Sequence, residues 1–151
     1  MIKKNQSFKY YEAVGRRKEA VARCRLYLVN KTKTALVKEE KVQAGEMRVN
    51  NLPIEQYFPR LSDKTKYLLP LKLTASEERF AVSIKVKGGG KAGQLGAVIL
   101  ALARALEKVD KEKNRPVLKK LGLLHRDPRV KERRKVGTGG KARREKQSPK
   151  R

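Results

Sequence analysis

Cysteine, histidine and tryptophan are nearly absent from this chain of 151 residues, which has one cysteine, one histidine and no tryptophan. A lone Cys24 excludes an internal disulfide framework and is typical of a reducing compartment. A structural zinc site generally draws four ligands from cysteine and histidine, and Cys24 and His125 cannot supply them. We therefore expect an intracellular protein that holds no metal.

Long apolar segments are missing as well. The longest apolar run, Ala97 to Ala103, is far shorter than the ~20 residues that cross a bilayer. The first residues, Met1 to Ala13, carry no apolar region of the kind that secretory signals have. These absences predict a soluble intracellular protein with no membrane partner.

Arrangements of side chains suited to catalysis are equally scarce. Most carboxylates stand beside cations, as in Glu39-Glu40-Lys41 and Glu77-Glu78-Arg79, which is typical of solvated faces. His125, the only histidine, stands between a helical segment and a basic one, where burial is not expected. We predict that the chain is not an enzyme and takes no cofactor and no small-molecule substrate.

Positive charge is what the chain has in excess, since 40 lysines and arginines face 15 acidic residues for a net charge of +25. From Arg115 onward there are 15 cations and 3 anions in 37 residues, nearly three times the charge density of the first 114. Charge of this size is information about partners rather than fold, and nucleic acid is the first candidate.

The last 26 residues, 126–151, offer only Val130, Val136 and Ala142 as apolar side chains. Such a segment cannot offset roughly 1–2 kcal/mol of backbone entropy per ordered residue, so it is either solvated or ordered on a polyanion. It contains no aromatic residue, which favours phosphate and shape contacts over base stacking. We predict a globular domain over 1–125 and an extended basic tail over 126–151.

Alternating apolar residues predict strands. The composition favours a strand over Phe8–Val14, a basic turn over Gly15–Lys18 and a strand over Ala20–Leu28 whose outer face carries cations. Thr34–Val37 is a candidate partner of that second strand, followed by a charged surface loop over Lys38–Glu46. The clearest alternation runs from Phe80 to Lys87, again with a polar outer face.

Helical spacing is found in the other segments. Asn51 is a candidate cap for a short helix, and Leu61–Leu71 predicts a second helix broken by Pro70. A core-facing stripe from Leu95 to Val109 predicts a long helix, and a last one runs from about Pro116 to Leu121 with Gly122 as its stop. Half-polar strands with segregated helices indicate an α+β fold.

Gly88–Gly93 satisfies the G-x-G-x-x-G pattern between a strand and a helix. A dinucleotide site is disfavoured because Asp110, the acidic residue at the required offset, lies at the end of the long helix. A phosphate-binding NTPase loop is excluded because Ala92 follows Lys91 where Ser or Thr must reach magnesium. Two interpretations stay open: the backbone N–H groups and nearby lysines hold nucleic-acid phosphate, or the glycines only permit a tight turn.

A set of motifs in a fixed order carries a family resemblance. They are Gly15-Arg16-Arg17-Lys18, Glu55-Gln56-Tyr57-Phe58, Val86-Lys87-Gly88-Gly89-Gly90, Leu124-His125-Arg126-Asp127-Pro128-Arg129, Glu132-Arg133-Arg134-Lys135-Val136-Gly137, Lys141-Ala142-Arg143-Arg144 and Lys150-Arg151. Over residues 10–151 the chain resembles bacterial-type ribosomal protein nine of the small subunit. The resemblance implies a two-layer α+β domain with a mostly antiparallel or mixed sheet and helices on one face, like the second domain of ribosomal protein five.

The resemblance also implies partners and a place of action. These are small-subunit rRNA in the head of the particle, neighbouring head proteins, and the peptidyl-site tRNA, all on the cytoplasmic ribosome. Lys150 and Arg151 become tRNA contacts by this reasoning. The expected rRNA contacts are Arg16, Arg17, Lys18, Lys87, Gly88, Gly89, Gly90, Lys91, Arg126, Arg129, Arg133, Arg134, Lys135, Lys141, Arg143 and Arg144.

Two rival hypotheses follow from composition and pattern alone. One is a free-standing architectural protein that binds chromosomal DNA, and the other is a small nucleotide-using enzyme built on the Gly88–Gly93 turn. Near the end of the tail, Ser148-Pro149 stands where the resembling family usually has an aromatic residue followed by serine.

Overall fold

A computed structural model describes residues 10–29, 34–37, 40–140 and 142–143 of the chain. Within these ranges there are seven strands and four helices. The strands are β1 (Tyr10–Arg17), β2 (Ala20–Leu28), β3 (Thr34–Val37), β4 (Glu40–Gln43), β5 (Met47–Val49), β6 (Leu52–Pro53) and β7 (Phe80–Lys87). The helices are α1 (Ile54–Tyr57), α2 (Leu61–Leu73), α3 (Lys91–Val109) and α4 (Lys111–Lys120).

Five strands form one mixed sheet in the order β1-β2-β7-β5-β6, in which only the β5–β7 pair is parallel. The register places Ala13 opposite Cys24, and Cys24 opposite Ile84, on one buried face. Helix α3 packs on β1 and β2 from that side, and α2 and α4 pack on α3. The predicted α+β class with helices on one face is confirmed.

Helix α3 supplies much of the core because its apolar stripe is long and almost fully buried, from Leu95 to Leu106. Gly15 lies directly beneath it, and a Cβ on Gly15 would overlap the backbone of Ala97 and Ala101. This close approach corrects the predicted turn over Gly15–Lys18. The strand continues to Arg17, and its glycine marks contact with a helix rather than a chain reversal.

The segment after β2 also differs from the prediction. Strand β3 pairs with β4 in a separate hairpin rather than with β2, so the predicted loop over Lys38–Glu46 contains a strand. Val42 of β4 is buried against Tyr27 and Ala81 on the otherwise polar face of the sheet. Val42 therefore attaches the hairpin to the sheet, and its charged neighbours explain why the sequence pattern predicted a surface loop there.

Asn51 does not cap α1, whose N-cap position is Pro53 without a side-chain hydrogen bond. Instead Asn50 and Asn51 take positive φ angles of 49° and 73° in the two-residue turn between β5 and β6. Asparagine tolerates this region better than most residues, which explains why two stand at a hairpin turn. The Asn50 side chain also hydrogen-bonds both backbone groups of Val86, at 2.9 and 3.0 Å.

Both proline-containing helices extend further than predicted. Helix α2 continues through Pro70 to Leu73, since Pro70 itself is buried together with Tyr67 and Leu71. Helix α4 begins at Lys111 rather than Pro116, because the Asp110 carboxylate accepts a hydrogen bond from the Lys113 N–H at 3.1 Å and caps it. Burial and capping outweigh the proline penalty here.

The predicted end of α4 is confirmed. Gly122 has a φ of 68° directly after the helix, and the backbone N–H groups of Gly122 and Leu123 donate to the carbonyls of Lys119 and Leu118. This turn directs the chain back towards α3 and β1, where the tail begins.

Candidate nucleic-acid interface

The β1–β2 turn and the glycine-rich turn before α3 form one surface. A Cβ on Gly88 would lie 2.6 Å from the Glu19 carbonyl oxygen, and one on Gly89 would lie 3.0 Å from the Ala20 nitrogen. Both glycines have positive φ, 73° and 62°. Two sequence clusters therefore meet in what we name the basic edge, composed of Arg16, Arg17, Lys18, Lys87 and Gly88–Lys91.

The glycines of this turn divide into two kinds. Gly88 and Gly89 are required by positive φ and by close approach to the neighbouring backbone. Gly90 has a φ of −97° and open space where a Cβ would stand, so packing does not require it. It precedes α3 without a side-chain cap, and its missing side chain leaves the α3 N-terminus uncovered. The tight-turn interpretation thus accounts for Gly88 and Gly89 but not for Gly90, where phosphate holding stays a prediction.

Lys18 stands at the tip of the β1–β2 turn with a φ of 50°. A left-handed conformation costs a non-glycine residue roughly 1–2 kcal/mol, and glycine would relieve it. Lys18 is exposed and makes no ion pair with any residue that the structure describes. The positive φ is what a two-residue hairpin turn between Arg17 and Ala20 demands, and this turn places the Lys18 cation at the end of the hairpin.

The tail begins at an ion-pair cluster on the same edge. The Asp127 carboxylate accepts hydrogen bonds from the Arg129 side chain, at 2.7 Å from Nη2, and forms an ion pair with Arg17. These donors, Arg129 foremost and Arg17 next, hold the pKa of Asp127 well below its usual range. The Arg17 stem lies over Gly96 of α3, where a Cβ would come within 3.1 Å of it.

A second carboxylate organises the tail further on. Glu132 accepts a hydrogen bond from Arg143 Nε at 2.9 Å and lies 3.8 Å from Lys135 Nζ. The Arg143 contact lowers the pKa of Glu132. Between Lys135 and Arg143 the backbone turns at three glycines with positive φ: Gly137, Gly139 and Gly140. The described part of the tail contains neither helix nor strand.

The cations among the predicted rRNA and tRNA contacts separate into three groups. Lys141, Arg144, Lys150 and Arg151 lie outside the described residues. Within the described residues, some predicted cations are engaged in ion pairs or, for Lys91, with the Tyr57 carbonyl and ring: Arg17, Lys91, Arg129, Lys135 and Arg143. The others are exposed without an ion pair to any described residue: Arg16, Lys18, Lys87, Arg126, Arg133 and Arg134.

The sequence interpretation left other cations out of the candidate site. Arg23 lies on the sheet face opposite the helices, where its register partner on β7 is Lys85, and Arg25 on the same face pairs with Glu12 at 2.6 Å. The alternation of Arg23 and Arg25 with buried residues of β2 was the sequence pattern that could have added them to the candidate site. Arg60 at the N-cap of α2 and Lys66 within α2 line a cleft together with Arg16, Arg17 and Lys91 of the basic edge, and no motif or periodicity in the sequence marks Arg60 or Lys66.

Other chemistries find little support in the described residues. No group of three or more His, Cys, Asp or Glu side chains is placed to hold a metal ion among them. Asp110, the acid that a dinucleotide fingerprint would need, is used as the α4 cap. The helices within the described ranges are too short or too polar to cross a membrane.

A small α+β domain with a basic edge, continued by a basic segment without a core, is typical of proteins that bind extended polyanions. The family model described as ribosomal protein S9/S16 matches residues 15–151. Since this match covers most of the chain, the chain belongs to the ribosomal protein S9 family.

Curated proteins similar to this chain belong to the same family. The chain is 42% identical to the small ribosomal subunit protein uS9 of Dehalococcoides mccartyi (strain CBDB1) over 137 residues, which cover 91% of this chain and 90% of that one. It is 42% identical to uS9 of Bifidobacterium animalis subsp. lactis over 137 residues, 91% of this chain and 75% of the other. It is also 42% identical to uS9 of Leifsonia xyli over 125 residues, 83% of this chain and 66% of the other.

The chain therefore spans about two thirds to nine tenths of the length of these relatives. Family membership makes it a structural protein of the small ribosomal subunit, found on ribosomes in the cytoplasm. The prediction that it is not an enzyme is confirmed by the same relatives, which are ribosomal proteins.

Proposed function

We propose that this chain binds small-subunit rRNA through the basic edge and the tail, and that Lys150 and Arg151 contact the peptidyl-site tRNA. The observation that carries the first part is the convergence of three separate sequence clusters. The β1–β2 turn, the glycine-rich turn and the start of the tail meet at one edge of the domain. Several adjacent cations at this edge make no ion pair with any described residue, which favours binding of successive phosphates of one RNA strand along it.

The boundary between domain and tail is part of this proposal. All buried residues of the main core precede residue 126, so a domain over 1–125 has its apolar contacts without the tail. The tail over 126–151 holds 12 lysines and arginines and 3 acidic residues. We assign rRNA phosphate contacts to its cations, and the tRNA contact to the last two.

Sedimentation tests the rRNA assignment. A tagged full chain should remain with small subunits when a lysate is centrifuged in high salt, because many phosphate contacts must be released together. Recovery with free DNA instead of subunits would favour an architectural DNA-binding role and overturn the assignment.

The tRNA assignment has its own test. We expect replacement of Lys150 and Arg151 by alanine to speed the dissociation of peptidyl-site tRNA several-fold, with subunit assembly nearly unchanged. The matched control removes two equal charges from the exposed end of α4, Lys119 and Lys120. If both variants release tRNA at the wild-type rate, the tip of the tail does not hold tRNA.

A further inference from the structure

A cleft of about 710 Å³ opens next to the basic edge, between α1, the first turns of α2, α3 and the start of the tail. Its apolar surface comes from buried or half-buried side chains of the main core, Phe58, Leu95, Ile99 and Leu123. The cleft is open to solvent, and a chain with so few aromatic residues places two of them, Tyr57 and Phe58, at its wall.

Cations outnumber acids at the rim of this cleft. Arg16, Arg17, Arg60, Lys66 and Lys91 line it, together with the carboxylates of Asp63 and Asp127. The Asp127 carboxylate is already engaged by Arg17 and Arg129. Arg60 and Lys66 are exposed and make no ion pair with any residue in the described ranges. The rim therefore presents unneutralised positive charge around an apolar floor.

We propose that this cleft receives one unpaired nucleotide of the RNA bound at the basic edge, with its base on the apolar floor and its phosphates against Arg60 and Lys66. This inference rests on the proposed function, because the same strand must cross both surfaces. Arg16, Arg17 and Lys91 belong to the rim and to the basic edge alike, so the two surfaces are continuous.

Charge complementarity selects the occupant. The centre of a protein–protein interface is poor in charged residues, whereas five cations line this cleft together with its apolar floor. An unstacked nucleotide combines a flat apolar base with phosphates on both sides, and splayed bases of this kind are what RNA-binding domains receive on aromatic and apolar surfaces. The cleft volume falls within the range of sites for single small ligands.

Two variants of the full chain disturb the cleft in different ways. Arg60→Gln with Lys66→Gln removes the rim charge while leaving the floor intact. Ala92→Trp fills the cleft from the first turn of α3, where Ala92 is exposed and lines it. The matched control is Lys72→Gln with Lys120→Gln, which removes two exposed cations from α2 and α4 outside the cleft.

Each variant is assembled into small subunits, and rRNA bases are probed with chemical reagents at single-nucleotide resolution. We expect one unpaired base, the same in both variants, to become about tenfold more reactive while the rest of the protein footprint is retained. The control should match wild type. Should Ala92→Trp fail to assemble, the exposed Arg60 and Lys66 pair still carries the test.

Three outcomes would overturn the inference, and they are distinguishable. A wild-type footprint in which neither variant changes any unpaired base rejects the cleft site and leaves the proposed function standing. No footprint from the wild-type chain rejects both. A photo-reactive residue at Ser62, at the cleft wall, should crosslink to rRNA; a crosslink to a neighbouring protein or to residues 1–9 of this chain would assign the cleft to that occupant.

Discussion

In the folded domain, the cations of the basic edge stand on backbone held by close packing, whereas in the described part of the tail two carboxylates engage only Arg129, Lys135 and Arg143. Gly15 lies against α3 and Gly88 against the β1–β2 turn, so the edge has little freedom to move. The ion pairs that Asp127 and Glu132 form with Arg129 and Arg143 are solvent-exposed on the arginine side and therefore weak, whereas the Arg17–Asp127 pair is half-buried. The cations of the basic edge are thus held in place by packing, whereas those of the described tail are not held by a core, a helix or a strand.

This difference suggests a division of labour. Under the proposed function, the preorganised edge would bind RNA without an ordering cost and set where the protein docks. The tail, which has no core, would then be ordered by the same RNA and follow its path. The Arg17–Asp127 pair joins the two regions and fixes where the tail leaves the domain.

The largest effect is expected from breaking the packing beneath the edge. Gly15→Val places side-chain atoms where α3 backbone already lies, and should cost about 3 kcal/mol or more of unfolding free energy. The control Gly90→Ala enters open space and should change stability by less than about 0.5 kcal/mol. Urea denaturation of the full chain measures both.

Cys24 offers a second readout of the same change. Its thiol is fully buried, and burial raises its pKa far above the ordinary range, so alkylation requires unfolding. Gly15→Val should speed alkylation of Cys24 together with the loss of stability, and Gly90→Ala should not. Equal stability of the two variants would show that β1 does not depend on its contact with α3.

A smaller effect is expected where the two regions join. The pKa of Asp127 is depressed in the folded chain, so its ion pairs are complete above the ordinary value of about 4 and are lost only as pH falls through the lower folded value. Carbon-detected NMR titration of the Asp127 carboxylate should therefore give a midpoint below that of an unstructured peptide.

Variants of Arg17 refine this test. Arg17→Ala should raise the midpoint, and Arg17→Lys, which keeps the charge without the guanidinium fork, should raise it less. A midpoint that does not respond to Arg17→Ala would mean that Arg129 alone holds the carboxylate and that the tail is not tied to the domain.

The smallest effect concerns a single turn. Lys18→Gly should stabilise the domain by about 1 kcal/mol because it relieves a left-handed φ, while weakening RNA binding by removing a free cation. Lys18→Arg, which keeps both the charge and the strain, should change neither quantity strongly. Tighter RNA binding by Lys18→Gly would contradict the role given to Lys18.

Sequence patterns predicted the parts of the fold that depend on local alternation. Strands β2 and β7, helix α3 and the Gly122 stop follow from periodicity and turn chemistry within one segment. The errors came from contacts between distant segments. Gly15 was assigned to a turn because nothing nearby shows that α3 covers it, and β3 was assigned to the wrong partner because Val42 is one apolar residue among charges.

The candidate site shows the same limit. Its cations were identifiable from composition and motifs, but their meeting at one edge was not, since it depends on how the glycine-rich turn packs on Glu19. No sequence pattern indicated that Arg17 and Arg129 both pair with the Asp127 carboxylate, or that Arg60 and Lys66 line a cleft.

Salt-dependent binding of small-subunit rRNA compares the two regions most directly. The full chain and a variant ending at His125 are titrated with the same rRNA fragment across a range of salt concentrations. Each phosphate contact adds about 0.7 to 0.9 to the slope of log affinity against log salt. With half of the tail's 12 cations on phosphates, removal of the whole tail should reduce the slope by about 4 to 5. The account predicts that reduction together with residual binding by the domain. An unchanged slope, or a domain that no longer binds rRNA at all, would contradict it.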